Sequence, residues 1–518
     1  MRERIVVVGF GPVAARLVDG LLPSVRSGLV QLLVVGQETE AAYNRVMVAE
    51  LGVGRTTADA LAMADAADLA ADGVDLRLGV TVKRIDRARQ QVVLSDGTTP
   101  GYDRLVFATG SRPVIPNLTG INPDPSHPVL PSGVTALRDL RDAAQLREAV
   151  VAGKRVIILG GGVLGLETAL AAAEEGAPTT VVHNGSFPLG RNIDRGAGTV
   201  LAASLRKTGV TVVGNARSTA VEHNGPDGTF SALVMNDGSR IEGDLLVLSC
   251  GVRPRIELAE GCGIPAATGI LVDHRLRTHH EPHMFAIGDC AEVRCADAGC
   301  SECRTALGPS GLVGPGWRQA EWLAEYLILL AEGGQDAADT LAPLPQERPG
   351  VVLLKARGIN LAVAGDNAAE PWDDELLSVS EGMPGRQVAQ WADPGHGRYV
   401  KMTTRGGLLE GLVAVGMPRT AAELVMLFER GSELPADRSL LLRLDGPDQL
   451  DTPASHNDSQ RTVCRCAGIS GASIEEAVLD GCSTVPEVSK ATRAGTGCGG
   501  CHGDIKRIIE RHFQGVAA

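Results

Sequence analysis

Short apolar runs alternate with glycine-rich turns and Ala-rich stretches along the first part of the chain. Arg4-Ile5-Val6-Val7-Val8 is continuously apolar after its first residue, the pattern of a strand buried on both faces, and Ala14–Leu22 behind it carries helical spacing. The rhythm recurs in strand Gln31–Val35, in strand Arg155–Leu159 with helix Leu166–Glu175, and in strands Thr179–Val182 and Leu245–Leu248. Strands alternating with helices predict βαβ units and parallel sheets up to about residue 330. Residues 331–350, with Pro343, Pro345 and Pro349, read as a linker. Strand-like runs at Val351–Leu354, Leu361–Ala364, Arg398–Thr403 and Leu408–Val415 predict a smaller α+β domain. Residues 445–462 are polar and rich in breakers, which predicts a second linker. Beyond it, Ser473 is expected to cap a helix over Ile474–Leu479. A short helix follows around Val485–Thr492, and Asp504–Phe513 closes the chain.

Composition narrows the class. At 518 residues the chain is too long for one core, so roughly three or four domains are expected. A net charge of −13 argues against a nucleic-acid partner. The N-terminus shows no signal-peptide pattern, and no apolar run is long enough to span a bilayer. The expectation is a cytoplasmic protein without a membrane partner, whose cysteines are thiols or metal ligands.

Two turns carry the first chemistry. Gly9-Phe10-Gly11-Pro12-Val13-Ala14 joins the opening strand to its helix, and Gly160-Gly161-Gly162-Val163-Leu164-Gly165 repeats the arrangement. Glycines there let backbone approach a pyrophosphate, and the helix N-terminus offers unpaired N–H groups. The second strand ends at Gln37-Glu38, where Glu38, or Gln37 in its place, suits a ribose hydroxyl. Strand Thr179–Val182 ends at His183-Asn184, which supplies neither the acid of an NAD site nor the Arg of an NADP site. Arg191 is near enough in sequence to meet a 2′-phosphate.

The cysteines are clustered, and none precedes Cys250. Cys464-x-Cys466 and Cys498-x2-Cys501 supply four thiolates in two close pairs, the set a [2Fe–2S] cluster needs, with a Cys₄ zinc site as the rival. A second run, Cys290-x4-Cys295-x4-Cys300-x2-Cys303, has three readings: a second iron–sulfur cluster, a zinc site, or a surface loop with Cys290 in the core. Cys250, Cys262 and Cys482 read as small buried hydrophobes. No side-chain nucleophile or general-acid pair is identified, so catalysis is expected from cofactors.

Four further motifs fix the order of parts: Ala42-Tyr43-Asn44-Arg45, Ala108-Thr109-Gly110-Ser111-Arg112-Pro113, Gly251-Val252-Arg253-Pro254 and Met284-Phe285-Ala286-Ile287-Gly288-Asp289. Together with the two turns they resemble the pyridine-nucleotide–disulfide oxidoreductase superfamily. The resemblance implies FAD at the first turn and NADH or NADPH at the second, with NADH favoured. The implied cofactor residues are Gly9, Gly11, Pro12, Ala14, Glu38, Arg45, Thr109, Gly110, Gly251 and Asp289, then Gly160, Gly162, Gly165, Glu167 and His183. The implied fold is α/β, with two Rossmann-like dinucleotide-binding domains, the NAD domain inserted in the FAD domain. A small α+β domain and a small helical [2Fe–2S] domain follow. The corresponding spans are 1–120 with 245–330 for FAD, 121–244 for NAD(P)H, 345–445 for the third domain and 462–518 for the cluster.

The absence of a cysteine before Cys250 removes the thioredoxin- and glutathione-reductase types of this superfamily. The stretch Leu353–Asp366 resembles the third domain of the nitrite reductase large subunit and of the electron-transfer subunit of assimilatory nitrate reductase. Residues 462–515 resemble the bacterioferritin-associated ferredoxin-like [2Fe–2S] domain. No sirohaem pattern is present, so this chain is expected to serve a separate acceptor, such as a molybdopterin nitrate reductase catalytic subunit. The alternatives are a reductase for a ferredoxin- or rubredoxin-like carrier, and a redox-sensing regulator.

Overall fold

The structure is a computed structural model that describes residues 2–121, 130–224, 228–295, 300, 308–345, 350–356, 358–373, 385–442, 445, 462–464, 467–497 and 499–515. Its first sheet has eight strands. In spatial order they are Ala291–Val293, Ile270–Val272, Arg277–Thr278, Glu281–Ala286, Arg104–Phe107, Glu3–Val8, Val30–Val35 and Asp75–Arg77. The central strands are parallel, with Val8 opposite both Val35 and Phe107. Ile5 to Val8 are all buried, as a strand covered on both faces requires. Helix Pro12–Arg26 begins with Pro at its first turn and buries Ala14, Leu17, Val18, Leu21 and Val25, a stripe at helical spacing, against the sheet.

The second sheet is parallel, in the order Thr211–Val213, Thr179–Val182, Val156–Leu159, Leu245–Leu248 and Val134–Thr135. Helix Val163–Glu174 follows its glycine turn. Strands Ser218–Asn224, Thr229–Met235 and Arg240–Glu242 form a separate antiparallel sheet, after which the chain adds Leu245–Leu248 to the second sheet.

A third, antiparallel sheet has the order Val352–Ala356, Ile359–Gly365, Leu408–Val415, Arg398–Arg405 and Arg386–Asp393, and helix Pro418–Arg430 packs on it. Its other face does not stand alone. Leu354, Ile359, Leu361, Val363, Tyr399 and Val415 share one apolar cluster with Val156, Ile158, Leu201 and Leu205 of the second unit. Within this contact Lys401, fully buried, lies 3.2 Å from Asp194 and 3.3 Å from Glu370, and the Tyr399 hydroxyl donates to Asp194 at 2.6 Å. Asp194 also caps helix Arg195–Lys207 by accepting from the Ala197 amide.

The C-terminal unit holds the short hairpin Thr462–Cys464/Ile469–Ser470 and helices Gly471–Leu479, Val485–Thr492 and His502–Gly515. Two sequence expectations are corrected. Residues 331–338 are not linker: helix Val313–Ala338 runs through them, absorbing Gly333-Gly334 by a kink at Gly334, whose φ is 73°. Ser470, not Ser473, caps the first C-terminal helix, and the Ser473 amide donates to its hydroxyl. Most of the expected second linker lies outside the described residues. No helix among the described residues is long and apolar enough to cross a membrane.

Candidate functional site

A cavity of about 1730 Å³ opens at the C-terminal ends of the central strands. Such a crevice is where open parallel sheets bind ligands. Gly9 has φ +104°, and a methyl group there would sit 2.3 Å from the Ala108 carbonyl oxygen. Only glycine brings the two loops so close. Gly11 is different: a methyl group there would find only the Arg45 side chain, at 3.9 Å, so the space before it is open to a ligand. Gly11 is also the N-cap of its helix and supplies no side-chain cap, which leaves amide groups facing that space.

Of the residues expected at the cofactors, Gly9, Gly11, Pro12, Ala14, Glu38, Arg45, Thr109, Gly110, Glu167 and Asp289 line this one cavity. Asp289 accepts from the Ser111 hydroxyl at 2.7 Å and from Arg138 at 3.4 Å. Thr109 donates its hydroxyl to the Arg255 carbonyl at 2.9 Å, which ties the two loops together. Glu38, expected to meet a ribose, is joined by Arg45 and accepts from the Tyr43 hydroxyl at 2.7 Å. Burial pushes the Tyr43 hydroxyl well above its ordinary range, so it stays a donor.

Sequence reasoning missed Arg138 and Arg255, which line the cavity beside Arg45. Desolvation pulls the Arg138 guanidinium below its ordinary value, and Arg255, though still open to solvent, is lowered by partial desolvation and by the positive neighbours Arg112, Arg138 and Arg45. Cations crowded into one cleft are relieved by an anionic ligand, and a pyrophosphate supplies one. Arg255 had a signal, adjoining Gly251-Val252-Arg253-Pro254; Arg138 had none.

The second turn lies outside the cavity lining, apart from Val163, Leu164 and Glu167 of its helix. Gly160 has φ +132°, and a methyl group on it would meet the Ser249 carbonyl oxygen at 2.0 Å. Gly162 caps the helix with nothing within 4 Å of where its Cβ would be, an open cradle like that at Gly11. Gly165 gives close packing, since a methyl group there would lie 2.4 Å from the Gly160 carbonyl oxygen, and Gly251 sits in open space at φ +98°. His183 lies beside the second turn. Its ring is buried between Gly161 and Gly214, is not part of the cavity lining, and burial lowers its pKa.

In the C-terminal unit, Cys464 and Cys501 are buried in one cluster with Ile474, Val478, Val488 and Ile505. The Gly495 amide donates to Cys464 Sγ at 3.5 Å, the kind of contact that stabilises a thiolate ligand. Cys466 and Cys498 lie outside the described residues. Their neighbours are informative. Asn44, buried beside Arg45, donates through Nδ2 to the Thr496 carbonyl at 2.6 Å and also to the Gly497 carbonyl. Met47 packs against Gly499, Arg493 pairs with Asp19 at 3.3 Å, and Thr462 lines the cavity. The cysteine-bearing unit is therefore fastened to the rim of the cleft.

The Cys290 run is corrected in part. Cys290 is fully buried, and its thiol donates to the Ile287 and Phe107 carbonyls at 3.2 and 3.5 Å. Its sulfur does not join Cys295 and Cys300, which meet His274 instead. Cys303 lies outside the described residues.

The profile of the pyridine nucleotide-disulphide oxidoreductase family matches residues 3–308, and that of the BFD-like [2Fe-2S] binding domain matches residues 462–511. An NAD(P)H nitrite reductase of Bacillus subtilis is 28% identical over 516 residues, 98% of this chain and 58% of that protein. An assimilatory nitrate reductase electron transfer subunit, also of Bacillus subtilis, is 27% identical over 514 residues, 98% of this chain and 59% of that protein. The chain thus spans somewhat over half the length of these curated relatives. The covalent putidaredoxin reductase–putidaredoxin complex shares the fold, with a TM-score of 0.67 at 23% identity, covering 85% of this chain and 95% of that one.

Proposed function

The chain belongs to the pyridine nucleotide-disulphide oxidoreductase family, and from that premise we propose that it is an NAD(P)H-dependent flavoprotein that passes electrons through its C-terminal [2Fe–2S] domain to a separate acceptor. The acceptor would be the catalytic subunit of an assimilatory nitrate or nitrite reductase, a molybdopterin protein in the nitrate case. The observation that carries this reading is the fastening of Thr496, Gly497 and Gly499 to Asn44 and Met47, on the rim of a cleft lined by Gly11, Arg45 and Asp289.

The residues fit the groups implied. Gly11 and its helix N-terminus would take the FAD pyrophosphate in the space a side chain would fill, with Arg45, Arg138 and Arg255 offsetting its charge. Asp289, oriented by Ser111 and Arg138, is a fixed acceptor for ligand hydroxyls. Gly162 would hold the nicotinamide cofactor's pyrophosphate, with Glu167 projecting from the same helix to the cleft. Cys464, Cys466, Cys498 and Cys501 would hold the cluster. When bound, these groups supply hydride acceptance at the flavin and one-electron transfer at the cluster, and the protein's task is to position them. Asn44 performs that task by gripping the backbone next to Cys498 while its neighbour Arg45 lines the flavin side.

The test is anaerobic. Purified protein should hold one FAD and about two iron atoms per chain. Mixing with NADH or NADPH should bleach the flavin and then produce a [2Fe–2S] EPR signal. A flavin that is reduced while the cluster stays oxidised would defeat the proposal.

A further inference from the structure

The strand register at the edge of the first sheet builds a second metal-ligand set. Strand Ile270–Val272 pairs in parallel with edge strand Ala291–Val293, with Val272 opposite Val293. His274 and Cys295 each follow two residues after that matched pair, on strands that neighbour each other. Cys300 returns to the same place. The ligand atoms of His274, Cys295 and Cys300 all lie within 4.8 Å of one another, and each residue is half-buried.

We propose that His274, Cys295 and Cys300 form a zinc site, separate from the C-terminal cluster. The distances suit this ion. Tetrahedral zinc with ordinary Zn–S and Zn–N bonds sets its sulfur and nitrogen ligands about 3.6 Å apart. The Cys300 Sγ to His274 Nε2 separation is 3.5 Å. The Cys295 sulfur completes the set, lying within 4.8 Å of the ligand atoms of the other two.

The donor set also decides against a four-thiolate cluster from this run. Cys290, which would have to be one of its ligands, is locked in the core by the Ile287 and Phe107 carbonyls. An imidazole with thiolates is a zinc donor set.

The position indicates what the ion does. Residues 290–310 connect Asp289 to Gly311–Pro315, and both of these line the cleft. His274 is itself anchored, its carbonyl accepting from the Leu344 amide at 2.8 Å. Zinc here staples the connecting chain to the sheet edge and holds both cleft-lining pieces in place. It carries no electrons.

The experiment is metal analysis of the full-length protein with its FAD. One zinc per chain is expected in addition to the cluster iron. Zinc should fall to background in His274→Ala, Cys295→Ser and Cys300→Ser. Cys464→Ser should lose iron and keep zinc. Retained FAD absorbance shows that each variant is folded. X-ray absorption at the zinc edge of the wild type, which needs no variant, should give a mixed sulfur and nitrogen shell. Zinc at background in the wild type, zinc surviving Cys295→Ser and Cys300→Ser, or an all-sulfur shell would each overturn the proposal.

Discussion

Asn44→Asp is the sharpest perturbation of the electron path. Asn44 has two jobs: its Oδ1 accepts from the Val46 amide at 3.0 Å, and its Nδ2 donates to the Thr496 and Gly497 carbonyls. Aspartate keeps the acceptor and deletes the donor, so the local turn survives while the grip on the C-terminal unit is lost. Each lost hydrogen bond is worth about 1 kcal/mol net, and leaving a buried carboxylate oxygen against two carbonyls adds about 1–3 kcal/mol. The total, about 3–5 kcal/mol, lowers the docked-to-undocked ratio by a factor of roughly 150 or more. The exposed Arg493–Asp19 pair is worth about 0–1 kcal/mol and cannot compensate. In anaerobic stopped-flow mixing with NADH, flavin bleaching at the FAD should keep its wild-type rate. Cluster reduction, followed by freeze-quench EPR, should slow at least tenfold. Cluster reduction at the wild-type rate in a variant with full FAD and iron would refute the reasoning, because the grip would then be irrelevant to transfer.

Gly11→Val should yield protein without FAD, and Gly162→Val should leave a yellow flavoprotein that NADH no longer reduces; absorbance spectra and dye-coupled assays separate the two, and swapped phenotypes would contradict the assignment. Cys464→Ser should abolish the [2Fe–2S] EPR signal while leaving NADH-to-dye turnover within about twofold of wild type. Asp194→Ala removes a helix cap and leaves the buried Lys401 ammonium with Glu370 as its remaining carboxylate, so thermal or denaturant unfolding should show a loss of about 2–4 kcal/mol, with Asp194→Asn less damaged because it can still cap and accept from Tyr399. Burial depresses the His183 pKa, so the stability this neutral ring confers is complete above the unfolded imidazole value of about 6.5 and falls as pH drops through the folded value. Melting of the wild type should therefore weaken below about pH 6.5 more than that of His183→Phe, and parallel curves would exclude the effect.

The glycine turns were legible in sequence because their geometry admits almost nothing else. At Gly9 and Gly160 a side chain would strike backbone, and a buried strand before and a helix after frame each turn. The residues missed owe their roles to contacts that sequence does not order. Asn44 meets Thr496 and Gly497 across most of the chain, and His274 meets Cys295 only through strand register. Cys290 misled because its spacing imitates a ligand run, while the turn after Asp289 points its sulfur at core carbonyls. The paired glycines Gly333 and Gly334 fall in the stretch read as a linker, but the helix continues through them after a kink. Local propensity yields there to the packing of Tyr326, Leu327 and Ala338 in the core.

The shared core between the second and third sheets changes how this protein can be cut or recombined. The sequence invites a boundary near residue 345, but Leu354, Ile359, Leu361, Val363 and Val415 cover the nucleotide unit as its own side chains would. Severing the chain there would bare both halves of that contact, at about 1.5–3 kcal/mol for each large side chain returned to water. It would also leave Asp194 without the Lys401 ammonium it faces. An excised reductase core should therefore aggregate unless that face is redesigned as a polar surface. Any exchange of the third sheet between relatives must carry Lys401, Tyr399 and their aspartate across together.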